Sequence, residues 1–457
     1  MTSANALSSA AKGLIIAAPS SGSGKTVFTL GLLRALARRE LKVASAKVGP
    51  DYIDPAFHAA ASGRPCFNLD AWAMRPASLA ARIKALGQDA DLIVCEGVMG
   101  LFDGADVPAG EAAGSTADLA ALTGWPVLLL VNAKGQAASA AALVRGFVGH
   151  RDDVRVAGVV FNQVGSPVHR AMITRACQSA LPDLPLLGWV PRNGDLVFPE
   201  RHLGLVQAGE QAELDTQLNT VAAVIDDALD LGNGGLERLT ALACPSDLVV
   251  PHDGAGGTLL PPLGQRIAIA RDQAFAFAYP GLVQGWRQAG AEISFFSPLA
   301  DQSPAADADA VYLPGGYPEL HGPTLAAAGR FRQGVQDAAG RGAWIFGECG
   351  GFMALGSAIE DAQGQHHPMT GLLPLVTSFA KRRLHLGYRR IISLADSPFG
   401  PSGTLLRGHE FHYSQIAEAG PCPPLFAAQN ASGRDLGPVG MVQGRVMGSY
   451  LHLIDRQ

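Results

Sequence analysis

The chain has 457 residues, of which 48% are hydrophobic and 16% are charged, and its formal net charge is −5. A chain this long and this apolar is not disordered and builds more than one small core, so we expect two or three domains. The 35 basic and 40 acidic residues nearly cancel, which excludes a global field that would attract nucleic acid or an anionic membrane.

Cysteine spacing and the apolar runs exclude several further classes of protein. Six cysteines are widely spaced, with no CxxC pair and no Cys/His grouping typical of a zinc finger, so we expect neither a disulfide framework nor structural zinc. The longest strongly apolar run, residues 125–133, is too short to cross a bilayer. Residues 13–18 lead into a Gly/Ser loop and not into a signal-peptide cleavage region, so we expect a cytoplasmic protein.

Short apolar, β-branched runs recur along the chain, and segments of helical period separate several of them. The alternation predicts βαβ units with parallel sheets in both halves of the chain. The runs lie at residues 14–18, 43–48, 92–95, 127–131 and 156–161, and again at 267–270, 293–296, 311–313 and 344–346. Between the first five runs and the last four, residues 231–264 are rich in Gly and Pro and lack the hydrophobic periodicity of a helix or strand. We predict one α/β domain over 1–230, a linker over 231–264 and a second α/β domain over 265–457.

The segment APSSGSGKT at residues 18–26 follows the first apolar run and opens a helical stretch. Small residues such as Gly22 and Gly24 let backbone N–H groups point inward at a phosphate, and Lys25 supplies a cation for the β- and γ-phosphates of ATP. Thr26 would place a hydroxyl on Mg²⁺. The pattern predicts a phosphate-binding loop with one departure, because Pro19 stands where the first Gly is usual.

Two acidic groups follow at the ends of predicted strands. KVGPDYIDP carries Asp51 and Asp54, and CEGVMGLFDG carries Glu96 and Asp103. Ligands of open α/β sheets bind at the carboxyl ends of strands, and Mg²⁺ prefers hard oxygen ligands. These carboxylates therefore predict a metal-assisted reaction beside the phosphate loop.

The segment WIFGECGGFMALG at residues 344–356 reads as a strand, a tight turn and a helix around Cys349. The flanking glycines permit the sharp turn that exposes a nucleophile, with the N–H of Gly350 aimed at an oxyanion. The helix N-terminus is expected to lower the thiol pKa. Upstream, LPGGYPE offers Gly316 as a second oxyanion donor.

A nucleophilic Cys needs a His as general base, distant in sequence but close in space. His452, in GSYLHLI near the end of the chain, is one candidate. Spacing alone does not choose it over its competitors, which are His385, His409 and His412.

Together these motifs resemble the cobyrinic acid a,c-diamide synthase family of corrinoid biosynthesis over nearly the whole chain. The resemblance rests on APSSGSGKT, KVGPDYIDP, CEGVMGLFDG, LPGGYPE, FGECGGFMALG, HEFHYS and GSYLH. It implies an N-terminal P-loop, dethiobiotin-synthetase-like parallel-sheet domain and a C-terminal triad-type class I glutamine amidotransferase α/β domain. The implied reaction phosphorylates a peripheral carboxylate with ATP, hydrolyses glutamine at a Cys and passes ammonia to the acyl phosphate, on the c and then the a acetate.

The resemblance also implies roles for single residues. Cys349 is similar to the thioester-forming nucleophile and His452 to its base. The remaining matches are Lys25 and Thr26 for phosphate and Mg²⁺, Asp51, Glu96 and Asp103 for metal binding and carboxylate activation, Tyr52 and Asp54 for substrate contact, and Asn162 for adenine. Class I glutamine amidotransferases of the triad type commonly have His-x-Glu, but Ile454 stands two residues after His452. We therefore expect a Cys/His dyad, helped by another acid such as Glu410.

The implied partners are ATP with Mg²⁺, L-glutamine and a corrinoid polycarboxylate, without nucleic acid or membrane. KRRLHLGYRR at residues 381–390 holds five basic residues, which suit either a carboxylate-rich substrate or a solvated strand face. NLDAWAM at residues 68–74 resembles members of the aerobic route, which favours metal-free hydrogenobyrinic acid over cobalt-containing cobyrinic acid. The oligomeric state stays open, with a homodimer as one candidate.

Other functions fit the same motifs less well. Nickel-sirohydrochlorin diamide synthase and cobyric acid synthase are further relatives, and the motifs of the latter read differently. A MinD/ParA-like positioning ATPase uses a similar phosphate loop. That class predicts no glutaminase domain and often an amphipathic tail, whereas this chain has the glutaminase motifs and lacks such a tail.

Overall fold

The computed structural model describes residues 11–194, 196, 198–201, 204–250 and 259–457. These residues divide into two compact units. The first unit contains the described residues up to Trp72, Leu79–Gly104, and those from Ala112 to residue 250. The second contains Ala73–Ser78, Ala105–Glu111 and residues 259–457. Residues 251–258 of the predicted linker, and the first ten residues of the predicted N-terminal domain, lie outside the described residues.

The first half of the chain alternates strands and helices. The strands are β1 (Lys12–Ala17), β2 (Val43–Val48), β3 (Cys66–Leu69), β4 (Leu92–Glu96), β5 (Val127–Asn132), β6 (Val156–Val164), β7 (Leu186–Pro191), β8 (Glu200–Arg201) and β9 (Gly204–Leu205). The helices are α1 (Lys25–Arg38), α2 (Asp54–Ser62), α3 (Pro76–Leu86), α4 (Thr116–Thr123), α5 (Ser139–Val148), α6 (Pro167–Ala180), α7 (Leu214–Leu229) and α8 (Leu236–Leu242).

Seven of these strands form one sheet in the order β3-β2-β4-β1-β5-β6-β7. Every pairing in this sheet is parallel. Strands β2 and β4 are buried along their whole length, which explains their almost continuous apolar sequences. Because all strands run the same way, the segments after β1, β2, β4 and β6 emerge at one edge of the sheet.

Helices α1 and α7 pack closely in the first unit, and Gly31 sets their separation. A Cβ on Gly31 would lie 2.5 Å from Cγ1 of Ile225 and 3.1 Å from the carbonyl oxygen of Val221. The faces that meet are apolar and include the buried side chains Leu218, Val221 and Ile225. A residue without a side chain is therefore needed at this crossing.

The second half of the chain begins as an α/β unit and ends in short antiparallel strands. The strands are β10 (Arg266–Ala270), β11 (Glu292–Phe296), β12 (Ala310–Leu313), β13 (Trp344–Glu348), β14 (Ala358–Glu360), β15 (His366–Pro368), β16 (Leu375–Ser378), β17 (His385–Ser393), β18 (Leu405–His412), β19 (Gln415–Ala419), β20 (Phe426–Asn430), β21 (Asp435–Val439), β22 (Met441–Gln443), β23 (Val446–Ser449) and β24 (Leu451–Arg456). The helices are α9 (Pro280–Gln288), α10 (Gly322–Ala327), α11 (Gly329–Gly340) and α12 (Gly350–Leu355).

Three sheets build the second unit. The main sheet has the order β11-β10-β12-β13-β23-β22, and only β22 is antiparallel to its neighbour. A five-stranded antiparallel sheet has the order β21-β20-β17-β18-β24, and a four-stranded sheet has the order β15-β14-β16-β19. The core between helices and main sheet includes Phe275, Phe331 and Phe352. Since β23 continues almost directly into β24, the last strand starts beside the carboxyl end of β13.

The predicted α/β class is confirmed, and each predicted strand coincides with an observed one. The prediction missed β3, β7, β8 and β9, and it missed every strand after β13. The predicted linker is not wholly irregular, because it contains α8. Cys244 also pairs with Gly13 through two backbone hydrogen bonds, so this stretch packs on the first unit. The domain boundaries themselves stay a prediction.

All six cysteines are free thiols. Within the residues that the structure describes, no helix combines the length and apolar character needed to cross a membrane.

We predict that Gly31→Ala lowers the free energy of unfolding of the first unit by about 1–3 kcal/mol, because the added methyl group must separate α1 from α7. Gly146→Ala in α5 is the matched control, since a Cβ there meets no atom within 4 Å. The control should gain up to about 1 kcal/mol from helix propensity. Thermal denaturation of both variants checks the opposite signs, and equal shifts would contradict the packing argument.

Candidate active sites

The phosphate loop lies between β1 and α1, and glycines shape it. Gly22 and Gly24 have φ angles of 73° and 92°, which side chains other than glycine rarely adopt. Lys25 is the first residue of α1, and its ammonium donates to the carbonyl oxygens of Met99 and Ser20. Asn162, in the last third of β6, donates from Nδ2 to the carbonyl oxygen of Ser23 at 2.9 Å. The structure thus brings the predicted loop residues and Asn162 together.

A buried charge network lies beside this loop, where β2 and β4 end. Thr26 donates from Oγ1 to Oε1 of Glu96 at 2.7 Å. The same Glu96 oxygen accepts from Nζ of Lys47 at 2.8 Å, and Lys47 also donates to Oδ2 of Asp54 at 2.6 Å. Behind this cluster, His58 lies 2.6 Å from Oε2 of Glu96. The hydroxyl of Thr26 therefore faces the carboxylates of Glu96 and Asp54, and Lys47 and His58 contact those carboxylates in turn.

The other predicted acidic residues shape the loops around this network. Oδ1 of Asp51 accepts from the backbone N–H groups of Ile53 and Asp54, which fixes the turn into α2. Asp103 is exposed and accepts from the N–H of Gly100 at 2.8 Å. Tyr52 lies half-buried between Asp51 and Asp54. Asp54 and Glu96 thus meet directly at Lys47, whereas the remaining predicted residues line the adjoining loops.

Burial and neighbouring charges perturb the ionisation of this network. Burial raises the pKa of Asp54 to about 6, and the neighbouring Asp51 adds to this shift. Burial opposes the charge of Lys47, but Asp54 and Glu96 hold its pKa well above the ordinary value. Lys47 and His58 likewise keep the pKa of Glu96 low despite its burial. Lys25 differs, since burial lowers its pKa.

Sequence reasoning did not identify Lys47 or His58. Lys47 lies inside an apolar strand, four residues before Asp51, and a lysine in a fully buried strand was the available signal. His58 lies four residues after Asp54, so one turn of α2 places both side chains on one face of the helix. Lys47 and His58 can therefore be identified from the sequence only after β2 and α2 have been assigned.

Cys349 lies in the second unit, in the turn between β13 and α12. Its φ of 47° and ψ of −105° are unusual for a residue with a side chain. Glycines permit this turn, because a Cβ on Gly351 would lie 1.8 Å from the carbonyl oxygen of Leu313. A Cβ on Gly347 would lie 2.7 Å from the backbone of Gly351. The backbone is therefore held where it presents Cys349, as the sequence predicts for a nucleophile.

The predicted partners of Cys349 converge on Gly315. A Cβ placed there would lie 3.4 Å from Cβ of Cys349, 2.5 Å from Cε1 of His452 and 3.4 Å from its Nε2. A Cβ on Gly350 would lie 3.0 Å from the backbone nitrogen of Gly316. The thiol, the imidazole and the two glycine backbones thus share one small space. This arrangement can support nucleophilic attack on a carbonyl carbon.

The expected lowering of the thiol pKa is not observed. Burial raises the pKa of Cys349, and the carboxylates Glu319, Glu348 and Glu410 add to that effect more than the N–H of Gly350 offsets it. Burial also lowers the pKa of His452 well below its ordinary value. The resting pair is therefore a neutral thiol and a neutral imidazole.

The other candidate histidines belong to strands β17 and β18. His409 pairs with His452 across β18 and β24, and burial lowers its pKa to about 3. Oε1 of Glu410 lies 2.8 Å from Nε2 of His412, and Arg389 donates twice to its Oε2. Potential metal-ligand atoms lie within 4.8 Å of one another in one group, with one atom each from His385, Glu410 and His412.

The basic stretch 381–390 divides into two parts. Lys381, Arg382 and Arg383 are exposed. Arg389 instead pairs with Glu410, and Arg390 pairs with Glu111 of the same unit. Only the first three basic side chains are therefore open to an anionic ligand.

Comparison with protein families assigns both halves of the chain. Residues 14–206 match the CobQ/CobB/MinD/ParA nucleotide binding domain. Residues 266–457 match the CobB/CobQ-like glutamine amidotransferase domain. The predicted combination of a P-loop domain and a glutamine amidotransferase domain is confirmed.

Curated relatives match along nearly the whole chain. A hydrogenobyrinate a,c-diamide synthase of Sinorhizobium sp is 53% identical over 97% of this chain and 98% of its own length. Those of Brucella suis and Rhodobacter capsulatus are 53% and 51% identical, over 97% and 98% of this chain and over 98% and 100% of their own lengths. The chain belongs to the hydrogenobyrinate a,c-diamide synthase family.

Proposed function

We propose that this chain catalyses the ATP- and glutamine-dependent amidation of the a and c acetate carboxylates of hydrogenobyrinic acid. The observation that carries the proposal is the presence of both sites in a chain that matches named hydrogenobyrinate a,c-diamide synthases over 97% of its length. A positioning ATPase is disfavoured, because residues 266–457 match a glutamine amidotransferase domain.

In the first unit, the charged groups suit transfer of a phosphoryl group to a carboxylate. The backbone N–H groups of the loop and Lys25 would hold the phosphates of ATP. Lys47 lies near the end of β2 with its ammonium between Asp54 and Glu96, where it can offset charge that develops during the transfer. An oxygen of the substrate carboxylate attacks the γ-phosphorus of ATP, and the bond between this phosphorus and the oxygen bridging it to the β-phosphate breaks. The products are ADP and an acyl phosphate.

The donor set beside Thr26 fits Mg²⁺. The Thr26 hydroxyl lies 2.7 Å from Glu96 and 3.4 Å from Asp54, so three hard oxygen donors converge. Thr26 and Glu96 would hold the ion, with Asp51 and Asp54 close by. When bound, Mg²⁺ would neutralise charge on the phosphates of ATP.

In the second unit, Cys349 would attack the side-chain amide carbon of glutamine. His452 takes the thiol proton and delivers it to the departing nitrogen, so that ammonia leaves and a glutamyl thioester remains. The N–H groups of Gly316 and Gly350 stabilise the oxyanion of the tetrahedral intermediate. Water then hydrolyses the thioester to glutamate. Ammonia attacks the acyl phosphate, inorganic phosphate leaves, and the amide forms.

We predict that Cys349→Ala abolishes glutamine-dependent amidation, by at least about a thousandfold, and leaves ammonia-dependent amidation intact. The substitution removes the nucleophile and leaves the first unit unchanged. ADP release measured with each nitrogen source checks the prediction. Cys422→Ala, a half-buried thiol of the same unit, is the control. Full glutamine-driven activity in Cys349→Ala would sink the amidotransferase assignment.

We predict that Lys47→Met lowers amidation by about a hundredfold or more with either nitrogen source. The substitution removes the ammonium between Asp54 and Glu96 and leaves two buried carboxylates facing each other. Glutamine hydrolysis at Cys349 should persist. The exposed Lys42→Met is the matched control. Loss confined to the glutamine-dependent assay would contradict this assignment.

The metal-free substrate is the finer part of the proposal, and cobalt-containing cobyrinic acid is the alternative. We expect a higher kcat/KM with hydrogenobyrinic acid when both compounds are offered in parallel with ATP and glutamine. Mass spectrometry of the products should show addition of two amide groups. A preference for cobyrinic acid would reverse the substrate assignment but leave the amidation itself standing.

A further inference from the structure

A buried carboxylate lies behind His452, although Ile454 occupies the position where related amidotransferases have an acid. Glu348 is the last residue of β13 and immediately precedes Cys349. Its Oε2 lies 3.9 Å from Nδ1 of His452, and both side chains are at most 2% exposed. The nucleophile and this carboxylate therefore come from adjacent residues of the same turn.

Two hydrogen bonds from neighbouring strands fix the Glu348 carboxylate. Oε1 accepts from the backbone N–H of Leu453 at 2.9 Å. Leu453 directly follows His452, so this bond ties the carboxylate to the strand that carries the imidazole. Oε2 accepts from the hydroxyl of Tyr312, a buried residue of β12. Strands β12, β13 and β24 thus hold Glu348 against Nδ1 of His452.

We propose that Glu348 is the positioning residue for His452, which orients the imidazole and offsets its positive charge while it carries the proton of Cys349. A carboxylate at Nδ1 is the usual device that keeps the other ring nitrogen available to a nucleophile. Glu348 touches neither glutamine nor the thioester in this role. The inference rests on the proposed glutaminase and adds the acid that its dyad lacks.

In the resting site, burial and other neighbours set the ionisation of Glu348 and of His452. Burial raises the pKa of Glu348 to about 7, although Tyr312 and Leu453 both donate to it. An imidazolium formed at His452 would favour the ionised carboxylate, because the two groups lie close together away from water. The ionised form of Glu348 is therefore favoured most when His452 is protonated. The reaction passes through this protonated state of His452 when the imidazole takes the proton of Cys349.

Glu410, the competing acid, faces other partners. Arg389 donates to its Oε2 at 2.7 Å and 2.6 Å, and Oε1 lies 2.8 Å from His412. In the pairing of β18 with β24, Glu410 stands opposite Leu451 and not opposite His452. The charge of Glu410 does raise the pKa of His452. Arg389 already pairs with that carboxylate, however, whereas the Glu348 carboxylate lies 3.9 Å from Nδ1 of His452, so Glu348 is the better placed of the two.

The test compares Glu348→Gln with Glu410→Gln in the full-length chain. The first substitution keeps the size of the side chain and an acceptor for Leu453, but it removes the charge. We expect Glu348→Gln to lower kcat for glutamine hydrolysis roughly ten- to a hundredfold, with KM for glutamine within about twofold. Ammonia-dependent amidation should not change. An unchanged kcat, an effect on KM alone, or a larger kcat loss in Glu410→Gln would overturn the proposal.

A second variant covers the case in which Glu348→Gln fails to fold. Tyr312→Phe keeps the carboxylate and removes one donor to it, so we expect kcat for glutamine to fall about two- to fivefold at constant KM. No change in kcat would count against the proposal. If the unmodified chain hydrolyses no glutamine, the proposed function fails instead, so the two failures are distinguishable.

Discussion

Each unit gathers ionisable side chains at the carboxyl end of a parallel sheet, and the free energy of burying a charge decides how each site is built. In the first unit, Lys47 lies between Asp54 and Glu96, so its buried charge is matched by two carboxylates. Around Cys349, burial raises the pKa of the thiol and lowers the pKa of His452. The first site therefore holds permanent charges, whereas the second begins with a neutral thiol–imidazole pair.

This difference fits the two proposed half-reactions. ATP and a substrate carboxylate are both anionic, so they approach each other only where a fixed cation such as Lys25 offsets their repulsion. The amide of glutamine is neutral, and attack by a neutral thiol with proton transfer to His452 creates charge only on the way to the tetrahedral intermediate. The glycine N–H groups and the carboxylate behind the imidazole stabilise charges that form only during the attack. Such a site favours the transition state over the resting state.

The sequence identified Lys25 and Cys349 but missed Lys47 and Glu348, although all four lie within the same motifs. Lys25 ends the loop that follows the first apolar run, and Cys349 lies three residues after the run 344–346, so their position at the sheet edge could be predicted from parallel topology. Lys47 lies inside a buried strand and Glu348 precedes the nucleophile, and each shows its role only through contacts across strands. The antiparallel strands, such as β17 with its interspersed charges, were missed because exposed positions break their apolar pattern.

Fewer basic side chains of the stretch 381–390 are free of acidic partners than its composition suggests. Arg389 and Arg390 are matched by Glu410 and Glu111, so the electrostatic contribution to a polycarboxylate falls to Lys381, Arg382 and Arg383 in the exposed segment before β17. Exposed charges are screened over about 10 Å at ordinary salt, whereas the buried ammonium of Lys47 is screened far less. A surface attraction of this kind can raise the local concentration of a carboxylate-rich substrate, but it cannot choose among its carboxylates. In the proposed function, that choice falls to the buried network beside the phosphate loop, where Asp54 and Glu96 hold Lys47 in one position, so that it can discriminate by geometry.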